Sequence, residues 1–66
     1  MIYRLKIKEI RKEKGVTQKE LAEKIGISYN YLSNLENNKF EIKLGLLLKI
    51  SNVLNLDIKE LYEKIE

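Results

Sequence analysis

Sixty-six residues with a net charge of +3, no Cys, no His and no Pro allow one small domain, and exclude a disulfide framework, a Cys/His zinc site, a histidine base and a thiol nucleophile. Eleven Leu and nine Ile must then build the core without staple or metal, and no apolar run approaches the roughly 20 residues that span a bilayer. Residues 1–39 hold nine Lys or Arg against five Glu, and residues 40–66 hold four Lys against five acids, so the N-terminal part is the one suited to phosphate contact.

In chain order, the N-terminal ten residues alternate apolar and charged types, which is not the pattern of a secretory leader. A first helix is expected over about residues 5–14, with Leu5, Ile7 and Ile10 toward the core. The strict alternation also permits a short extended segment before it. Gly15 closes this helix behind Lys14, and Val16 returns to the core. Thr17 is a good N-cap, and Glu20 three residues on completes a capping box, with Val16 and Leu21 at the staple positions. Leu21, Ala22 and Ile25 form the buried stripe of the second helix. Gly26 supplies the positive φ of a tight turn.

Ser28 caps a third helix over about 29–37, held inward by Leu32 and Leu35. Asn37, Asn38 and Lys39 end it, Asn tolerating the left-handed conformation. A fourth helix is expected at about 44–54. Lys43 is a poor cap for it because it cannot accept the free amide hydrogens, and Gly45 costs it up to about 1 kcal/mol. Asp57 and Glu60 form another capping pair, predicting a fifth helix to about residue 65 with Ile58, Leu61, Tyr62 and Ile65 on one face. The expected architecture is an all-α, compact five-helix domain spanning residues 1–66.

Residues 17–37 read as two short helices and a glycine turn, a helix-turn-helix. The outer face of the second of these helices carries Ser28, Tyr29, Asn30, Ser33 and Asn34. Asn donates to and accepts from adenine in the major groove, and Ser bonds to base or phosphate. Gln18 at the start of the second helix, and Asn37 with Lys39 beyond the third, are placed for backbone phosphates. Glu36 is an acid close to that face; a partner such as Arg11 would neutralise it and tie the first helix to the third.

These residues carry a family resemblance. Arg11 through Gly15, Thr17-Gln18, Leu21-Ala22, Gly26-Ile27-Ser28 and Tyr31-Leu32-Ser33 with Leu35-Glu36-Asn37 resemble the lambda-repressor-like domains, the Cro/C1-type or XRE-type helix-turn-helix family. Leu47-Leu48-Lys49-Ile50 and Asp57 to Tyr62 are similar to it as well. The resemblance implies a third helix in the major groove, base-facing Ser28, Tyr29, Asn30 and Asn34, and backbone contacts at Gln18, Tyr31, Asn37, Lys39 and Arg11. It implies an Arg11–Glu36 ion pair as scaffold. The chain departs from the family pattern at Asn38, where Gly is usual, at Ile42-Lys43, where Pro-Ser or Pro-Thr is frequent, and at Gly45.

The implied partner is double-stranded DNA at a palindromic operator, bound by a homodimer whose half-sites lie about 34 Å apart. Leu56, Ile58, Tyr62 and Ile65 are the candidate dimer contacts. The implied role is a small cytoplasmic repressor or autoregulator that acts by occupying its site, with no cofactor, small-molecule ligand or membrane. The competing reading is a protein-interaction module that reuses the fold. An enzyme is disfavoured for want of an acid cluster, a glycine-rich phosphate loop or an activated nucleophile.

Overall fold

A computed structural model describes residues 3–65. The alternation at the N-terminus resolves into a strand, β1 (Tyr3–Leu5), followed by helix α1 (Ile7–Glu13). Helices α2 (Gln18–Ile25), α3 (Tyr29–Glu36) and α4 (Leu44–Leu54) follow, then a 3₁₀ turn at Ile58–Leu61 and strand β2 (Tyr62–Lys64). The expectation of five helices is corrected on this point. The described residues form four α-helices, one 3₁₀ turn and a two-stranded antiparallel sheet.

The missing fifth helix has a physical cause. Asp57 and Glu60 do make the capping box, and the Glu60 amide donates to the Asp57 carbonyl at 2.9 Å, a 3₁₀ bond. Leu61 is then fully buried and the chain leaves it extended, with Tyr62 at φ −147° and ψ 161°. An isolated two-turn helix is marginal in water. Pairing with β1 offers more: Tyr3 lies opposite Lys64, Arg4 opposite Glu63, and Leu5 opposite Tyr62. The Tyr3 and Tyr62 rings meet edge to face at 6.3 Å. Arg4 bridges Glu63 and Glu9, each at 2.6 Å, which draws the Glu9 carboxyl below the usual carboxylate range.

Local signals set the other elements. The Thr17 hydroxyl accepts from the Glu20 amide at 3.1 Å, and the Glu20 carboxylate accepts from the Thr17 amide at 2.9 Å. Such a cap contributes about 1 kcal/mol. Ser28 Oγ accepts from the Tyr31 amide at 3.1 Å. Lys43 makes no side-chain cap, so α4 is held by its apolar face instead. Gly26 turns the chain between α2 and α3 at φ 77°, and two asparagines, Asn38 and Asn55, take φ 59° after α3 and α4.

Leu5, Ile7, Leu21, Ile25, Leu32, Leu35, Ile50 and Leu61 are each 2% exposed or less and form the centre of one core. It draws on both ends of the chain and on every helix, and so fixes α2 and α3 relative to each other.

Candidate nucleic-acid interface

Helix α3 has two unlike faces. Leu32 and Leu35 are fully buried beneath it. Ser28, Tyr29 and Asn30 are exposed at its start, Tyr29 at 56%. Asn34 and Ser33 are half-buried one turn on, and Asn37 and Lys39 are exposed beyond its end. Tyr31 is half-buried, its ring 6.3 Å from that of Phe40. The base-facing positions named from sequence therefore lie on α3 or at its N-cap, graded from open at the N-terminus to partly covered at Asn34.

Behind this face sits a buried polar cluster. Arg11 grips Glu36 with two bonds, Nε to Oε2 at 2.7 Å and an Nη to Oε1 at 3.0 Å, and its other Nη donates to the Val16 carbonyl at 3.0 Å. Gln18 Nε2 donates to Glu36 Oε1 at 2.8 Å. The cluster joins the end of α1, the start of α2 and the last turn of α3. The Gln18 amide is engaged with protein here, and Arg11 is only 6% exposed. Sequence spacing suggested the Arg11–Glu36 pair but gave no sign that Gln18 would share the carboxylate.

Above the cluster lies a shallow, open hollow of about 500 Å³ lined by Arg11, Lys12, Gly15, Val16, Thr17, Gln18, Lys19 and Tyr29. Three cations and no carboxylate line it. The first turn of α2 opens there, and its first amides have no helical acceptor. Thr17 serves the amides of Glu20 and Leu21, so those of Gln18 and Lys19 remain for an anion.

Asn38 adds a role that sequence reasoning missed. Its Oδ1 accepts from the Leu5 amide at 2.8 Å, tying the end of α3 to β1. Its positive φ is shared with Asn55, for which no side-chain bond competes. Asn38→Gly keeps the backbone but leaves the Leu5 amide unpaired, and a loss of about 1 kcal/mol is expected. Asn55→Gly is expected to be neutral or slightly stabilising. Urea denaturation of the two variants makes the comparison; equal responses would remove the Asn38 bond from the account.

Of the four residues named as dimer contacts, Leu56 and Ile58 are half-buried against the core, whereas Tyr62 and Ile65 are 39% and 52% exposed.

The helix-turn-helix family model matches residues 7–61. The transcriptional regulator ImmR of Bacillus subtilis is 43% identical over 61 residues, which is 92% of this chain and 48% of ImmR. The regulator SinR of the same species is 40% identical over 60 residues, 89% of this chain and 54% of SinR. The chain thus spans about half the length of both. A putative DNA-binding protein from Bacteroides fragilis superposes with a TM-score of 0.89 at 34% identity, covering 94% of this chain and all of the other. SinR, the master regulator for biofilm formation, solved in complex with DNA, superposes with a TM-score of 0.74 at 42% identity, covering 80% of this chain and 86% of that one.

Proposed function

Because this chain belongs to the Cro/C1-type (XRE-type) helix-turn-helix family of DNA-binding regulators, we propose that it binds double-stranded DNA sequence-specifically and regulates transcription by occupying an operator, as a repressor or autoregulator. It is a regulator and not an enzyme. The observation that carries the reading is the pairing of a rigidly seated α3, polar on its free side, with the adjoining basic hollow at the start of α2.

In this reading α3 enters the major groove. Ser28, Tyr29, Asn30 and Asn34 meet base edges, the open N-terminal residues going deepest. Gln18, with the free amides beside it, faces one phosphate, and Asn37 and Lys39 face the other flank. Tyr31 lies along the backbone seam. Arg11 acts there mainly through Glu36 and Gln18, since three of its donors are already held by protein. Two copies would bind a palindromic operator, each reading one half-site. No helix among the described residues is long and apolar enough to cross a membrane, and a cytoplasmic place follows from the proposed DNA target.

Selection from random duplexes followed by titration against salt tests this directly. Binding should weaken steeply as salt rises, because phosphate contact releases counterions. Absence of any retarded complex at about 50 mM salt would remove DNA as the partner. Within the complex, Asn34→Ala is expected to relax base preference at one position by about 1–3 kcal/mol. Lys39→Ala is expected to weaken every sequence alike and lower the salt slope by about 1. Equal losses on selected and random duplex from both variants would sink the division of roles.

A further inference from the structure

Phe40 is the one phenylalanine of the chain, and it stands in a polar run, Asn37-Asn38-Lys39-Phe40-Glu41. Its side chain is 51% exposed and lies outside the core cluster, whereas Tyr31 packs against that cluster. The two rings meet with centroids 6.3 Å apart and planes 43° from parallel. A single exposed apolar side chain needs no explanation of its own. The place of this one does.

The backbone that carries Phe40 is fixed without help from its ring. The Asn38 amide donates to the Leu35 carbonyl and the Lys39 amide to the Asn34 carbonyl, each at 3.0 Å, with Asn38 at φ 59°. This is a Schellman closure of α3. Asn38 Oδ1 ties the same turn to the Leu5 amide. The residue after Lys39 is thereby brought against the first turn of the helix that has just ended. Tyr31 waits there with a free end. Among the described residues its hydroxyl has no hydrogen-bond partner, yet no buried side-chain polar atom goes unpaired. The Tyr31 hydroxyl therefore reaches solvent, while its ring is held by the core on one side and by Phe40 on another.

We propose that Phe40 is a positioning residue for DNA binding: its ring braces that of Tyr31, so that the Tyr31 hydroxyl donates to a backbone phosphate on the flank that Lys39 neutralises. The proposal rests on the reading of α3 given above and adds a residue to it. A donor already held in its bound direction loses little freedom when the duplex arrives. Without the brace the phenol must be ordered by the DNA itself. Phe40 has no group that could donate to phosphate, so its effect passes through Tyr31.

Titration of the intact chain against selected and random duplex tests this, with Tyr31→Phe, Phe40→Ala, the double variant and Phe40→Tyr. Tyr31→Phe removes the hydroxyl alone and should weaken both duplexes about tenfold, the size of one hydrogen bond to a charged group. Phe40→Ala should weaken both by a similar factor. The double variant should lie within about threefold of the weaker single variant, because the two substitutions remove one interaction. Phe40→Tyr keeps the ring and should bind within about threefold of the parent. The salt slope should match the parent throughout, since no cation is lost. The urea midpoint of Phe40→Ala should also match, its ring being outside the core. Losses that multiply in the double variant, a lower salt slope in Phe40→Ala, or full affinity in either single variant would overturn the bracing role and leave the DNA reading standing. A parent chain that retards no duplex would overturn the DNA reading itself, and the bracing role with it.

Discussion

Glu36→Ala is expected to bring the domain to the edge of unfolding at room temperature. The Glu36 side chain has no exposed surface, and that of Arg11 has 7%. Removing the carboxylate strands a guanidinium that cannot shed its proton, among groups that offer it the Val16 carbonyl and little else. Breaking a buried pair in this way costs about 3–5 kcal/mol. A chain of 66 residues has a total stability of roughly 3–10 kcal/mol at ordinary values per residue. The loss is therefore of the same order as the whole. Thermal and urea unfolding followed by circular dichroism measure it. A transition within about 1 kcal/mol of the parent would mean that water reaches the cluster and that burial counts for less than the geometry implies.

The companion variant separates cost from role. Arg11→Met with Glu36→Leu removes both charges and fills the space, and most of the stability should return, since desolvating two ions offsets much of their attraction. Gln18 then loses its acceptor. On the proposed function, duplex affinity should remain low in the double variant even as its midpoint recovers, because Gln18 is no longer positioned at the phosphate hollow. Recovery of both together would make the cluster a matter of stability alone.

Local chemistry made the helix-turn-helix legible. Thr17 with Glu20, Gly26 and Ser28 each satisfy or release backbone groups within four residues, so their meaning does not depend on the rest of the fold. Helix α4 was legible in spite of Lys43 because its apolar period runs for three turns. What escaped was non-local. Tyr3 pairs with Lys64 from the other end of the chain, and Asn38 reaches back to Leu5; neither partner is visible from its own neighbourhood. The alternation in Tyr3-Arg4-Leu5 permitted an extended segment, whereas Tyr62-Glu63-Lys64-Ile65 does not alternate, and the Asp57–Glu60 box pointed to a helix there. A capping box specifies how a helix begins. It does not say that the helix continues, and here a strand partner wins after four residues.

That competition yields the second large effect. In a continuous helix, Leu61 and Ile65 would stand four residues apart on one stripe and share one fate. In the strand arrangement they separate: Leu61 is fully buried and Ile65 is 52% exposed. Leu61→Ala is accordingly expected to cost about 2–5 kcal/mol, the transfer of a leucine plus the cavity left behind. Ile65→Ala is expected to stay within about 0.5 kcal/mol, as surface changes do. Urea midpoints in dilute solution compare them. Matching losses would restore a helical C-terminus and take the β1–β2 pairing away. A wide gap would mean that the 3₁₀ turn drives Leu61 into the core, after which the chain is free to run antiparallel to its own beginning and pair with β1, the strand that Asn38 ties to the end of α3.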